Sequence, residues 1–131
     1  MEAASGKDAV VASYEALNRR DIDAAMEALA EDAEWNESTA LPDTGVYRGR
    51  PAIRSFLTDF LDSWERFHQT VVDVLQEGDR VLVLIHLEAT GRGSAASVDA
   101  HYAHLWTVSG GRGIRVDAFY DRDEALAALN P

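Results

Sequence analysis

The sequence predicts an α+β domain, with helices first and antiparallel strands after them. Three observations predict it. Apolar residues in the first half recur at helical spacing, most clearly Ile53, Phe56, Leu57, Phe60, Leu61 and Trp64. From Phe67 onward the apolar period changes to two, the spacing of a strand with one buried face. Glycine-bearing turns then break the second half at hairpin intervals. Helices segregated from antiparallel strands define the class, and residues 1–131 read as one domain, long enough to bury a core without staples.

Each element has its own signal. Ser5 followed by Asp8 resembles a capping box opening a first helix, with Val10, Tyr14 and Leu17 on one face. Asp21 can cap a second helix that turns Ile22, Ala25, Met26 and Leu29 inward. Residues 33–37 suit a short strand, and residues 38–49 a loop broken by Pro42, Gly45 and Gly49. Pro51 fits the first turn of a third helix, where its missing N–H is not needed. Strands follow at residues 67–76, 80–90, 97–108 and 114–120, and Asp121 with Glu124 opens a last short helix with Leu126 and Leu129 inward.

The strand at 97–108 is the most informative. One face carries Val98, Ala100, Tyr102, His104, Trp106 and Val108; the other carries Asp99, His101, Ala103, Leu105 and Thr107. The turn before it pairs Glu88 with Asp99, His86 with His101, Val83 with His104 and Val81 with Trp106 if like faces stay together. The next turn pairs Trp106 with Val116, His104 with small Ala118, and Tyr102 with Tyr120. His104 then points inward among aromatics, and His101 outward near His86, Glu88, Asp99, Arg115, Asp117 and Asp121.

Composition excludes several classes. Without cysteine there is no disulfide, thiol nucleophile or Cys-zinc site. Twelve Lys and Arg against 23 Asp and Glu give a net charge of −11, which repels nucleic acid and anionic membrane surfaces. No apolar run reaches spanning length and residues 1–7 lack signal-peptide character, so the expected location is the cytoplasm. Gly91-Arg92-Gly93 is a hairpin turn, not a dinucleotide fingerprint.

The order of elements resembles the SnoaL-like branch of the NTF2-like superfamily, which includes ketosteroid isomerases, polyketide cyclases and scytalone dehydratase. The matching pieces are Asn18 to Ala24, Ala30 to Trp35, Gly45 to Ile53, and His104 to Thr107 with Ala118 to Asp121. The resemblance implies a sheet wrapped around the helices as a cone with an apolar pocket, and a homodimer through the outer sheet face. It places the isomerases' general-base carboxylate on or near Glu37, and their third-strand acid near His104. It brings their helix-one tyrosine within one position of Tyr14. Where many relatives carry an inward carboxylate on the last strand, this chain has Ala118, against the Asp-Arg-Asp chemistry of the related epoxide hydrolases.

Two catalytic candidates result, Glu37 as a proton-transferring base and His104 as donor to a developing enolate oxygen or as acid. The bland alternatives are a solvated loop carboxylate and a core histidine bonded to a neighbour such as Tyr14. Tyr14, Trp35, Tyr47, Phe60, Tyr102, Trp106, Ala118 and Tyr120 are the expected substrate contacts. Tyr47 lies in the long loop, as lid or as anchor. The outer His86, Glu88, Asp99 and His101 have ligand chemistry, but a flat sheet face rarely wraps an ion, so no metal and no cofactor are expected. The expected function is cofactor-independent isomerisation, cyclisation or dehydration of an apolar carbonyl or hydroxyl compound. A non-catalytic binder of a small apolar ligand and a dimerising association module are the alternatives.

Overall fold

The structure is a computed structural model that describes residues 2–37, 45–93 and 96–130. Its elements are α1 (Glu2–Asn18), α2 (Ile22–Met26), β1 (Leu29–Asn36), β2 (Val46–Arg48), α3 (Arg50–Asp62), β3 (Trp64–Glu77), β4 (Arg80–Gly91), β5 (Ser97–Ser109), β6 (Arg112–Phe119) and α4 (Arg122–Leu129). One six-stranded sheet runs in the order β2-β1-β6-β5-β4-β3. The α+β architecture predicted from the sequence is present, and the sheet is curved and unclosed. Register breaks between Trp64 and Arg66, between Val71 and Asp73, and between Thr107 and Val108 bend it, because an extra residue kinks a strand.

The sheet departs from the expected one in pairing. It is mixed: β1 runs parallel to β6, and every other neighbour pair is antiparallel. A parallel pair needs a long connection, and this one spans everything from β2 to β5. Apolar alternation reports faces but not strand direction, so the sequence alone could not reveal it.

Four boundaries also differ. The first helix already runs from Glu2, upstream of the start expected at Ser5. Leu29, expected on the second helix, opens β1, because α2 stops at Met26. Residues 46–48, expected in the loop, form β2 against Glu34 to Asn36. Trp64, expected at the end of the third helix, opens β3, where the bulge at Glu65 keeps it paired with Gly91. Pro42 and the rest of residues 38–44 lie outside the described residues.

The hairpin registers match the sequence reading. Val81, Val83, His86 and Glu88 face Trp106, His104, His101 and Asp99, and Trp106 and His104 face Val116 and Ala118. Tyr120 lies just beyond β6, so it meets Tyr102 by ring contact at 5.9 Å rather than as a ladder pair. Both aspartate caps form: Asp21 accepts from Ala24 N–H at 3.1 Å and Asp121 from Glu124 N–H at 3.0 Å.

Two layers cover the sheet. On the inner face Val10 and Tyr14 of α1 and Ile53 and Leu57 of α3 share one core with Val81, Val83, Ile85, Trp106 and Val116. On the outer face α4 lays Ala125 and Leu129 over Leu82, Leu84, Ala103 and Leu105. Each fully buried large aliphatic contributes about 1.5–3 kcal/mol. Gly113 is required by this packing, since a Cβ there would lie 2.5 Å from Cε3 of the Trp106 indole.

The corner between α1, α3 and β3 is held by arginines. The first helix ends with Asp21 N–H on Ala16 O at 2.9 Å and Arg20 N–H on Leu17 O at 2.9 Å, and Arg20 takes a left-handed φ of 60°. That is a Schellman end, in which the left-handed site favours glycine. Here the guanidinium of Arg20 bonds the carbonyls of Leu61 at 3.0 Å and Trp64 at 2.8 Å. Arg92 from the β4–β5 turn adds bonds to Asp62 O at 2.9 Å and Trp64 O at 3.1 Å. Together they satisfy carbonyls that the end of α3 leaves open.

Candidate functional site

Helices α1 and α3 do not fill the concave face of the sheet. A cavity of about 420 Å³ remains, of a size that takes a small organic molecule. Its walls are Leu17 from α1, Phe56, Leu57 and Phe60 from α3, and Trp35, Tyr47, Trp64, Gln69 and Leu87 from β1 to β4. Val98, Ala100, Tyr102 and His104 from β5 line it too, with Glu37 and Tyr120 where β1 and β6 end. Tyr47 belongs to β2 and stacks on Phe56 at 4.4 Å, so it is anchored to a helix rather than free in a loop.

His104 is 6 % exposed, and burial pushes its pKa down to about 3, so the ring is neutral. Its Nδ1 lies 2.6 Å from the Tyr14 hydroxyl, which accepts a bond from Trp106 Nε1–H at 2.9 Å. With the oxygen engaged by the indole, the hydroxyl's own proton is best directed at Nδ1. That assigns the imidazole proton to Nε2. With Nδ1 taken by Tyr14 and His104 lining the cavity, the Nε2–H is the donor that the ring has left to offer. Trp35 packs edge-on against the ring at 5.0 Å and holds its plane.

Glu37 is 8 % exposed and follows directly on β1. It accepts a bond from Trp35 Nε1–H at 2.6 Å. Desolvation raises its pKa, partly opposed by that bond. Its charge also reaches Tyr102 and Tyr120 in the cavity wall and Tyr14 behind it, helping to raise the pKa of each, although burial is the larger cause in all of them. The carboxylate therefore stands inside the protein rather than in solvent.

Of the residues singled out in the sequence, Glu37, His104, Trp35, Tyr47, Phe60, Tyr102 and Tyr120 line this cavity. Tyr14, Trp106 and Ala118 do not: they form the layer behind His104, each about 1 % exposed. The two readings of His104 therefore meet in one residue, bonded to Tyr14 on one edge and facing the cavity on the other.

Gln69 and Trp64 also line the cavity, outside the set of substrate contacts expected from the sequence. Gln69 was legible as a polar residue between Phe67 and Val71 on the inward face of a strand. Its Nε2 donates to the Tyr102 hydroxyl, while Oε1 is buried without a partner among the described residues, as is Trp64 Nε1.

The outer face carries two polar groups. Arg115 bonds Asp117 at 3.0 Å and Glu34 at 3.1 Å, and Asn36 donates to Asp117 at 3.0 Å. Further along, the His86 and His101 rings stack at 4.4 Å, and His86 Nε2 lies 2.7 Å from Asp99. Ligand atoms of His86, Asp99 and His101 all fall within 4.8 Å of one another, so these three could hold a metal ion at one corner; Glu88 is not part of that group. Among the described residues, no helix is long and apolar enough to cross a membrane.

Residues 10–116 match the SnoaL-like domain family. Among curated proteins, none matches this sequence. Solved structures share the fold. TerC co-crystallised with polyporic acid is 23% identical, with 95% of this chain and 97% of that one covered and a TM-score of 0.78. An NTF2-like protein of unknown function from Burkholderia pseudomallei is 22% identical, covered 97% and 98%, with a TM-score of 0.79. An LEH-like epoxide hydrolase of M. tuberculosis is 18% identical, covered 96% and 90%, with a TM-score of 0.74. The likeness to these structures concerns the fold, whereas the family match spans most of the sequence, and the chain belongs to the SnoaL-like domain family.

Proposed function

We propose that this protein takes a small apolar carbonyl or hydroxyl compound into its cavity and moves a proton on it without a cofactor, as an isomerase, cyclase or dehydratase. One observation carries the reading. A buried carboxylate, Glu37, and a neutral N–H donor, His104, line the same largely aromatic cavity. Base and oxyanion donor are the two groups that enolisation needs.

Glu37, ionised, removes a proton from the carbon beside the carbonyl. The electron pair moves onto the oxygen, which the His104 Nε2–H receives. Because desolvation raises the Glu37 pKa, the carboxylate is a stronger base than one in water. The Tyr14 hydroxyl bonded to Nδ1 fixes the tautomer, and the Trp106–Tyr14–His104 chain polarises the donor. Glu37, now protonated, returns the proton at another carbon for isomerisation or to a departing hydroxyl for dehydration. In cyclisation the enolate carbon attacks a second carbonyl, whose oxygen becomes an alkoxide and takes the proton back from Glu37. Epoxide opening by a carboxylate–arginine–carboxylate set fits less well: Ala118 faces His104 on β6, and no arginine lines the cavity among the described residues.

The ligand class agrees with a relative of the same fold crystallised with polyporic acid. The likeness to that protein supports small-molecule binding without fixing the substrate. Pairing of two copies through the outer sheet face is proposed for the end that α4 leaves open. A monomer at every concentration in sedimentation would remove it.

The test is deuterium exchange at the enolisable carbon of α-tetralone in D2O, followed by proton NMR. The wild-type protein should accelerate exchange, and Glu37→Gln should lower the acceleration by about 10²–10⁴-fold. Equal rates in the two proteins would overturn the acid–base reading. Saturable binding without exchange would make the protein a binder instead.

A further inference from the structure

The geometry points to a zinc site on the outer face of the sheet, made by His86 of β4 with Asp99 and His101 of β5. It stands apart from the acid–base reading, because none of the three residues lines the cavity.

The β4–β5 ladder brings the donors together. His86 and His101 are direct partners across it, and Asp99 stands two residues before His101 on the same face. Side chains of direct partners start about 4.5–5.5 Å apart at Cβ, and the diagonal neighbour stays within reach of a long side chain. The imidazole rings accordingly stack at 4.4 Å, 5° from parallel, and His86 Nε2 lies 2.7 Å from the Asp99 carboxylate. One ligand atom from each of the three falls within 4.8 Å of the others. Strand β4 is paired on its far side too, with Thr70 opposite His86 and His68 opposite Glu88. Two of the donors thus share a strand and the third sits in the middle of a ladder, not on a loop, which is where a precise site is best supported.

The donor set selects the ion. Calcium and magnesium take oxygen ligands. Two imidazole nitrogens and one carboxylate oxygen suit zinc. Four-coordinate zinc, at about 2.0–2.2 Å from each ligand, spaces its ligand atoms roughly 3.3–3.6 Å apart. The bonded His86–Asp99 pair must open a little and the widest pair close, by up to roughly 1–1.5 Å, which side-chain rotation supplies. The zinc then takes the place of the hydrogen bond, and His86 binds as the neutral ring with its proton on the other nitrogen. A flat face cannot wrap an ion, so the protein holds it from one side and water fills the fourth position. The side chains leave room for that, with 27% of His86 and 70% of Asp99 exposed. Glu88, directly opposite Asp99, adds negative charge beside the site, and the net charge of −11 favours a cation over the whole surface.

The test is calorimetric titration of the metal-free protein with zinc chloride. One ion should bind per chain. His101→Ala and Asp99→Ala each remove a ligand and should weaken binding by at least about tenfold, more than the loss of an outer contact costs. His68→Ala removes an exposed histidine of the neighbouring strand that is outside the group, and should leave the affinity unchanged. Melting curves without metal show whether each variant is folded. In nitrogen-15 NMR of imidazole-labelled wild-type protein, one equivalent of zinc should shift the ring nitrogens of His86 and His101 and leave those of His104 in place. That spectrum decides the matter even where a variant does not fold. Absence of saturable binding, wild-type affinity in a folded His101→Ala or Asp99→Ala protein, or zinc-induced shifts centred on His68 or His104 would overturn the site.

Discussion

His104 and His101 are three residues apart on β5 and live in different media. His104 faces inward, buried, with Tyr14 on one edge and the cavity on the other. His101 faces outward, exposed, stacked on His86 beside Asp99. The odd separation puts them on opposite faces, and the helices then decide the rest. Under α1 and α3 an imidazole becomes a neutral, fixed donor. On the part of the outer face that α4 leaves open it stays exposed, in a group that could hold a metal ion. The residue type is the same, and the chemistry follows from which face is covered.

The contrast can be broken from the inside. Tyr14→Phe removes the hydroxyl that serves both Trp106 Nε1 and His104 Nδ1. Two buried polar atoms would then lack partners, so we expect a loss of about 2–4 kcal/mol in urea unfolding. Gly113→Ala strikes the same layer sterically, pressing a methyl toward Trp106, and should cost about 1–3 kcal/mol. A Gly113→Ala protein as stable as wild type would mean that the indole moves freely.

Acid sharpens the contrast. An unfolded histidine binds a proton near pH 6.5, whereas folded His104 does so only near about 3. Between these values the unfolded chain holds the extra proton. His104's contribution is therefore complete above about pH 6.5 and lost as pH falls, by up to about 1.4 kcal/mol per pH unit. Glu37 has the opposite sign. Its folded pKa is raised, so its burial costs stability at neutral pH, and the cost fades as pH falls through that pKa. Glu37→Gln should accordingly lose exchange activity yet raise the melting temperature at pH 7 by a few degrees, and a lower melting temperature would contradict the assigned burial cost. The smallest effect belongs to the outer face: His101→Ala should change stability by no more than about 0.5 kcal/mol and leave α-tetralone exchange untouched.

Much of the inner face could be read from the sequence. Residues 81–87 and 98–108 with the turn between them suggested a register that kept like faces together, although a shift by two residues would have kept the faces too, and the suggested register is the one found. The caps at Asp21 and Asp121 followed from residue type at fixed spacing. What stayed hidden depended on partners far away in the chain. β2 is three residues long and too short to show a period. The parallel pairing of β1 with β6 leaves no local trace. The bond from Tyr14 to His104 joins residues 90 positions apart, so the sequence offered it only as one option. Gln69 was visible as a polar residue in an apolar stripe, but that its amide is bonded to Tyr102 and buried at its other atom is a matter of packing.

The state of the inner histidine is the centre of the account, and nitrogen-15 NMR of imidazole-labelled protein measures it directly. Between pH 7 and pH 4.5, where the folded ring has not yet reached its pKa of about 3, His104 should remain neutral with its proton on Nε2. In Tyr14→Phe that tautomer preference should weaken. Protonation of His104 within that range, or a proton resident on Nδ1 in the wild type, would contradict the donor assigned to the cavity and the enolate chemistry built on it.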